Sequence, residues 1–196
     1  MSAKILTIVP TSGSAPEIYF GEHFRHPIWI EFVNNDSENW FGCFSCDYPS
    51  VLNKVLVDKD NKSAFIVSGG IGYLVDINNR ILKHKTDELP LIESLILTND
   101  PDYFIAGTFY SIYVFDTDKL IQEITTNMFI DGIYLKSQIG RKVIGDLASA
   151  ENQYESKLDF EFDLDTFELT LNQMVIRKDS TQKPNIIKRL IDKLRN

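Results

Sequence analysis

The chain has 196 residues, of which 43% are hydrophobic, and this combination predicts one folded domain with a sizeable core rather than a disordered protein. Its formal net charge is −8. Residues 183–196 contain five basic residues and one acid, a charge of +4, so residues 1–182 carry −12. A body this acidic repels nucleic-acid phosphates, so we expect a basic protein as the partner and no direct binding of nucleic acid.

We expect neither a targeting signal nor a membrane segment. The apolar run within residues 1–10 is broken by Thr7 and is followed by no small-residue cleavage site. No apolar segment approaches the length that a bilayer requires. Two cysteines in a chain of this length favour a reducing compartment, so the sequence predicts a cytoplasmic protein rather than a disulfide scaffold.

Strands are predicted for most of the chain, because thirteen Phe and eight Tyr beside many Ile and Val favour strands over helices. Five strands are predicted in the first part of the chain: 4–9, 27–33, 40–44, 52–57 and 63–68. The turn at residues 34–37 joins the second and third of these strands into a hairpin. The polar connector at residues 58–62 joins the fourth and fifth into another.

A weak repeat follows these hairpins. Residues 72–81 align with residues 112–121 at a spacing of 40, and residues 164–169 form a looser third copy. Each copy turns at an Asp, whose carboxylate can accept a hydrogen bond from the backbone two residues on. Short strands with a period near 40 are typical of propeller blades, but so few units cannot close a ring. We therefore predict a mainly β fold with antiparallel sheets in an open, partial propeller-like or sandwich-like arrangement, as a single domain over residues 1–182.

The C-terminal segment departs from the strand pattern. Pro184 suits the first turn of a helix, and cations lie near the C-terminal end, where they favour the helix dipole. Apolar residues follow at helical spacing: Ile186, Ile187, Leu190, Ile191 and Leu194. We predict an amphipathic α-helix over residues 183–196 that packs on the β domain, with docking to a partner as the alternative.

Two pairs of potential metal ligands lie near each other in the sequence. Cys43 and Cys46 form a CxxC, His23 and His26 form an HxxH, and four such ligands suit tetrahedral zinc. Their order and spacing match no zinc finger or ribbon, and residues i and i+3 of a strand point to opposite faces. We therefore interpret the cysteines as buried or partly buried thiols and expect no metal.

Two further segments resemble chemical sites. The glycine-rich Ser68–Gly72 precedes a strand rather than a helix, so it predicts a tight turn or bulge and not a phosphate cradle. His84 lies between two lysines, and no nucleophile is tied to it by sequence, so a solvated side chain is expected. We predict no enzyme and no cofactor; a hydrolase that uses His23 or His84 is the alternative.

The most informative segment is Asp159–Asp165, in which carboxylates and apolar residues alternate strictly. A strand sends successive side chains to opposite faces, so Phe160, Phe162 and Leu164 are expected in a core and the four acids in one outward row. Three interpretations are open: a solvated face, a cation site, and a surface for Lys and Arg groups of a partner. A straight strand does not wrap a calcium ion, which disfavours the cation site.

Residues 64–76, with the sequence AFIVSGGIGYLVD, resemble a pattern found in a family of small, acidic, partial-propeller bacterial proteins. Residues 130–133 resemble the WDGI turn of that family, with Ile130 in place of the aromatic residue. The resemblance covers roughly residues 28–171. This family is similar to immunity proteins encoded beside toxins of contact-dependent inhibition and related polymorphic toxin systems. The matched motifs are turns and strand cores, and they imply no catalytic role.

The sequence and this resemblance together predict an immunity protein that binds and neutralises one cognate toxin domain, a basic nuclease, through an acidic surface. The alternative is a non-catalytic, propeller-like scaffold or a small-ligand-binding module. The predicted partner-binding residues are carboxylates in and around the acidic segment: Glu155, Asp159, Glu161, Asp163, Asp165 and Glu168.

Overall fold

The computed structural model describes residues 3–46, 48–86, 88–126, 130–149, 157–171 and 174–176. The predicted helix over residues 183–196 and the position of Glu155 therefore lie outside the described residues. Within the described ranges the chain forms strands, turns and loops and no helix, so none is long and apolar enough to cross a membrane. The predicted mainly β fold is confirmed.

In these ranges seventeen strands form four sheets. The first sheet contains β1 (Ala3–Leu6), β2 (Glu17–Phe20), β3 (Ile28–Val33) and β4 (Asn39–Phe44). The second contains β5 (Lys54–Val57), β6 (Ser63–Ser68), β7 (Ile71–Asp76) and β8 (Ile81–Lys85). The third contains β9 (Ser94–Leu97), β10 (Phe104–Gly107), β11 (Ser111–Phe115) and β12 (Leu120–Thr125). The fourth contains β13 (Ile130–Ile139), β14 (Lys142–Ser149), β15 (Lys157–Asp163), β16 (Leu169–Leu171) and β17 (Met174–Ile176).

The first sheet is connected differently from the other three. The second, third and fourth sheets are antiparallel meanders in which strands adjacent in sequence pair with each other. The first sheet has the order β1-β3-β4-β2, and its edge strand β2 runs parallel to β4. Both predicted hairpins, β3–β4 and β5–β6, are confirmed. The first strand ends at Leu6 rather than at residue 9, and β2 was not predicted.

The sequence repeat corresponds to equivalent strands of neighbouring sheets. Strands β5 and β9 begin at Lys54 and Ser94, and strands β7 and β11 begin at Ile71 and Ser111, so both pairs begin 40 residues apart. The aligned segments thus occupy the same strand position in the second and third sheets. The looser third copy, residues 164–169, covers the turn between β15 and β16.

Three hydrophobic clusters hold the sheets together in chain order. The first cluster joins the first and second sheets, where the rings of Phe32 and Trp40 stack with centroids 4.2 Å apart. The second joins the second and third sheets around Phe65 and Phe115, whose ring centroids are 4.8 Å apart. The third joins the third and fourth sheets and contains Phe162. The inner sheets are therefore apolar on both faces, whereas the first and fourth sheets each have an outer face.

The connections between strands alternate between two edges of this stack, because neighbouring strands are mostly antiparallel. On one edge, turns of neighbouring sheets bond to each other. The backbone N–H of Asn35 donates to Asn78 Oδ1 at 3.0 Å, and Gln138 Nε2 donates to the carbonyl of Asn99 at 2.9 Å. We call this the turn edge; it comprises residues 34–38, 58–62, 76–80, 98–103, 116–119, 140–141 and 163–168.

Candidate partner-binding surfaces

Strand β15 carries the acidic segment and lies between β14 and β16 in the fourth sheet. Phe160 and Phe162 are buried in the third cluster, and so is Leu164 just after the strand, which confirms the predicted alternation. Asp159 and Glu161 lie on the outer side of the sheet. We call that outer side the last-sheet face; its residues include Tyr134, Lys136, Lys142, Ile144, Asp146, Asp159, Glu161 and Thr170.

Cations of the same chain pair with two acids of the predicted row. Lys142 Nζ donates to Glu161 Oε2 at 2.5 Å. Arg141 Nε donates to both carboxylate oxygens of Asp165, at 3.1 and 3.3 Å, and this ion pair lowers the pKa of Asp165. Both cations follow directly after the turn at Gly140, at the start of the neighbouring strand. Half of the predicted acidic row is therefore compensated within the molecule by Arg141 and Lys142.

Lys136 forms ion pairs with two further carboxylates of the last-sheet face. Its Nζ donates to Asp146 Oδ1 at 2.5 Å and lies 3.9 Å from Asp159 Oδ1. The side chain of Asp146 is only 7% exposed, whereas that of Asp159 is 85% exposed. The hydrogen bond from Lys136 lowers the pKa of Asp146 despite this burial, so Asp146 is ionised at neutral pH. The last-sheet face is thus a surface of mixed charge.

Asp163 shapes the turn that follows β15. Its Oδ1 accepts hydrogen bonds from the backbone N–H groups of Asp165 at 2.8 Å and Thr166 at 3.0 Å. Asp76 and Asp116 accept equivalent bonds from the backbone at the corresponding turns of the second and third sheets, at 2.8 and 2.7 Å. The predicted Asp-led corners of the first two repeat copies, at Asp76 and Asp116, are confirmed. In the third copy the Asp that forms the corner is Asp163 rather than Asp165, so Asp163 has a role inside the chain.

The turn edge gathers more acids than the acidic strand does. Asp163, Asp165 and Glu168 lie on it, whereas Asp159 and Glu161 lie on the last-sheet face, so the described residues of the predicted set divide between two surfaces. The segments of the turn edge contain twelve carboxylates and five cations, a net charge of −7. The carboxylates are Asp36, Glu38, Asp58, Asp60, Asp76, Asp100, Asp102, Asp116, Asp118, Asp163, Asp165 and Glu168. The recurring Asp-led turns were the sequence signal for this surface.

Contacts between sheets fix the turn edge in place. Arg80 Nη2 donates to Glu38 Oε2 at 2.6 Å, which connects the second sheet to the first. Lys83 Nζ donates to Asp118 Oδ1 at 2.8 Å and to the carbonyl of Thr117 at 2.9 Å, which connects the second sheet to the third. Exposed pairs of this kind contribute little stability individually. They hold the surrounding carboxylates at set positions relative to one another.

The outer face of the first sheet, which we call the first-sheet face, is aromatic. One row of side chains crosses all four strands: Leu6 pairs with Trp29, Trp29 with Cys43, and Cys43 with Tyr19. The ring of Tyr19 lies edge-on to the rings of Trp29 and Phe24, with centroids 5.6 Å apart in both cases. Tyr19 is 55% exposed, whereas Cys43 is 1% exposed, and this burial raises the pKa of the Cys43 thiol to about 11.

The next row of the first-sheet face carries two carboxylates. Its members, in strand order, are Lys4, Glu31, Phe41 and Glu17. Glu17 Oε2 accepts a hydrogen bond from Tyr19 OH at 3.1 Å, and Glu31 Oε1 accepts one from Asn39 Nδ2 at 3.3 Å. Neither carboxylate forms an ion pair with a described residue of the chain. Sequence reasoning missed this surface because β2, which supplies Glu17 and Tyr19, was not predicted.

The cysteines, the glycine-rich segment and His84 contribute to the packing and the turns of the sheets. Cys43 and Cys46 are both buried, and both thiols are reduced. In the described part of the chain, no three His, Cys, Asp or Glu side chains form a group that could hold a metal ion. Gly69 and Gly70 form the predicted tight turn between β6 and β7, with φ of 58° and 84°. His84 is half-buried in β8 with its ring centroid 5.5 Å from that of Phe115, instead of being fully solvated.

A cavity of about 440 Å³ lies between the first and second sheets, on the edge opposite the turn edge. Its lining combines apolar side chains with Glu22, His23 and Lys85. At Ser45, another lining residue, the hydroxyl oxygen lies 2.8 Å from the hydroxyl of Tyr73. The cavity has the size of a small-molecule site but gathers no nucleophile and base within it that the described contacts connect.

No protein-family model matches the chain, and no curated protein matches it.

Proposed function

We propose that the chain is an immunity protein that binds and neutralises a cognate toxin domain, a basic nuclease, and that it acts by binding without catalysis. The observation that carries this proposal is the turn edge, whose segments contain twelve carboxylates and five cations and are fixed by contacts between sheets. Of these carboxylates Asp58 is buried, and the net charge of the segments is −7. A fixed negative surface attracts a basic partner and disfavours neutral or acidic ones. It competes for the same Lys and Arg groups of a nuclease that hold substrate phosphates.

We also infer that the four sheets form an open, partial propeller-like arrangement. The first strands of successive sheets contact each other, β1 with β5, β5 with β9, and β9 with β13, as inner strands of propeller blades do. The 40-residue spacing of equivalent strands supports this interpretation. A plain sandwich of stacked sheets is the alternative. The arrangement matters for function because it aligns the turns of all four sheets along one edge.

Co-purification with the protein encoded beside this chain tests the proposal. We expect a stable complex that forms faster at low ionic strength, because complementary charges accelerate encounter. The double variant Asp60→Asn/Asp118→Asn removes two exposed carboxylates of the turn edge, which pair with Lys62 and Lys83, and we expect it to slow association. Lys83 keeps its bond to the carbonyl of Thr117, so the second and third sheets stay connected. The double variant Asp159→Asn/Glu161→Gln is the matched control, since it removes the same charge from the last-sheet face. Equal effects of the two variants would count against the turn edge.

The cavity between the first and second sheets supports a second candidate, a small-ligand-binding module. Its volume of about 440 Å³ and its mixed polar and apolar lining suit a small organic molecule. Thermal denaturation in the presence of a metabolite library tests this candidate. A ligand that raises the midpoint for the unaltered protein, and fails to do so for Lys85→Met, favours the module. A complex with the neighbouring gene product and no ligand effect favours the immunity protein.

A further inference from the structure

The first-sheet face changes from aromatic to acidic along its strands, and its acidic part adjoins the turn edge. The aromatic row contains Tyr19 and Trp29, and the next row contains Glu17 and Glu31. Strands β3 and β4 then reach the turn at residues 34–38, which belongs to the turn edge. An aromatic patch and an acidic edge therefore meet without interruption on this side of the molecule.

The chemistry of this patch suits a cationic group of another protein. Tyr, Trp and Arg are enriched among the residues that supply most of the binding energy of an interface, and Arg is the cation that most often stacks on aromatic rings. Trp29 is buried, so the exposed rings of this patch are those of Tyr19 and Phe24. Tyr19 is 55% exposed and Phe24 is 36% exposed, and their rings form an edge-on pair. Glu17 and Glu31 accept hydrogen bonds from neutral groups and form no ion pair with a described residue. Lys4 lies opposite Glu31 in the sheet, so Glu17 is the carboxylate of this row that has no cation beside it in the register.

The last-sheet face lacks this combination. There Lys142 pairs with Glu161, and Lys136 pairs with Asp146 and lies near Asp159. A basic partner that docked on the last-sheet face would have to displace these lysines from their carboxylates or be repelled by them. The two outer faces of the stack therefore differ in their fit to a basic protein, and the first-sheet face fits better.

We propose that the first-sheet face is the docking surface for the basic protein partner, with a partner Arg stacked on Tyr19 and Phe24 and paired with Glu17 or Glu31. This inference rests on the proposed function and assigns its interface. The face is four strands wide, about 15–20 Å, and alone is smaller than the roughly 800 Å² per partner of a standard interface. A partner that also covers the adjoining turn at residues 34–38 buries an area of that size. Two copies of this chain that contact each other through this face alone do not.

The test measures the affinity for the protein encoded beside this chain, which is the proposed toxin. Tyr19→Ala removes the exposed ring, and we expect the dissociation constant to rise about 30-fold, as for an interface hot spot. The isosteric double variant Glu17→Gln/Glu31→Gln keeps the packing, and we expect a rise of about tenfold together with a shallower salt dependence. The matched control Asp159→Asn/Glu161→Gln is expected to change affinity by less than about twofold. Melting curves establish that each variant is folded.

Hydrogen exchange of the complex locates the contact independently of any variant. Protection of residues 17–31 on complex formation supports the proposal. Protection confined to residues 157–165, with unchanged affinity in Tyr19→Ala, overturns the surface and leaves the proposed function intact. If sedimentation of the free protein shows a dimer that Tyr19→Ala abolishes, the occupant of this face is a second copy and the proposal is wrong. If the unaltered protein forms no complex, the proposed function fails and this inference fails with it.

Discussion

The first-sheet face and the last-sheet face are the two outer surfaces of one stack, and they differ in what their cross-strand neighbours supply. On the last-sheet face each of the outward acids Glu161 and Asp159 has a lysine nearby, on β14 or β13. On the first-sheet face Glu17 and Glu31 accept hydrogen bonds from a phenol and an amide, and Lys4, which lies opposite Glu31, forms no ion pair with it. An acidic strand is therefore not by itself an acidic surface, because the adjacent strands decide whether its charge is compensated.

The largest expected difference in stability lies between substitutions on the inner and outer faces of β15. Phe162 is fully buried in the cluster between the third and fourth sheets, so Phe162→Ala should lower the free energy of unfolding by about 3–5 kcal/mol. Glu161→Ala, one residue away on the outer face, should change it by only about 0.5 kcal/mol, since its pair with Lys142 is exposed. Urea denaturation of the two variants measures both values. Similar losses in the two variants would contradict the assignment of the inner and outer faces.

A smaller effect separates two ion pairs within the last-sheet face. Lys136→Met leaves Asp146 buried without its cation, so we expect a clear fall in melting temperature at neutral pH. Lys142→Met is the matched control, because its partner Glu161 is 53% exposed and is solvated by water when Lys142 is removed. We expect the melting temperature of Lys142→Met to be close to that of the unaltered protein.

The pH dependence of the Lys136→Met effect follows from the lowered pKa of Asp146. A lowered folded-state pKa contributes stability that is present above the unfolded-state pKa and is lost as pH falls through the folded-state value. The difference in melting temperature between Lys136→Met and the unaltered protein should therefore be full at pH 7. It should shrink as pH falls and Asp146 becomes protonated, first in Lys136→Met, where burial without the cation raises the pKa of Asp146, and then in the unaltered protein, where that pKa lies below the ordinary value of 3.8. A difference that is constant with pH would show that Lys136 stabilises the sheet by packing alone.

A third test examines the cover over Cys43 on the first-sheet face. The thiol is buried next to Tyr19, and its pKa is raised to about 11, so it should react slowly with thiol reagents at neutral pH. Tyr19→Ala removes part of the cover, and we expect faster labelling of Cys43. Cys46 is buried elsewhere and serves as the internal control in the same molecule. Mass spectrometry of labelled peptides distinguishes the two thiols, and parallel acceleration at both would indicate general loosening.

Much of the fold could be predicted from local sequence patterns, but the compensation of charge could not. The alternation of Phe160 and Phe162 with carboxylates, and the Asp-led turns at Asp76 and Asp116, depend on neighbours along the chain, and both are confirmed. The pairing of Glu161 with Lys142 depends on the register between β14 and β15. That register in turn follows a β13–β14 hairpin that contains irregularities. A one-residue shift would move these side chains to the other face.

The first-sheet face was hidden for a different physical reason. Strand β2 is four residues long, lies at a sheet edge and pairs in parallel with β4, so no hairpin turn links it to its partner. Short edge strands give weak sequence patterns, because they have few residues and a paired strand on only one side. Tyr19 and Glu17 were therefore not recognised as members of a surface. The Asp-led turns, by contrast, gave a clear local signal, yet their meeting on one edge required the whole sheet order.

The smallest expected effect concerns the phenol of Tyr19. The hydrogen bond that Tyr19 OH donates to Glu17 raises the pKa of Tyr19, because ionising the phenol would remove the donor and place two negative charges together. Glu17→Gln should bring the pKa of Tyr19 back toward the ordinary value of 10.0. Glu31→Gln, on the same face, should leave the pKa of Tyr19 unchanged. NMR titration of ¹³C-labelled tyrosines, with Tyr19→Phe for assignment, measures the shift. An unchanged pKa of Tyr19 in Glu17→Gln would mean that Glu17 turns away from the ring in solution, and the first-sheet face would then lack the hydrogen bond that holds a carboxylate beside its exposed ring.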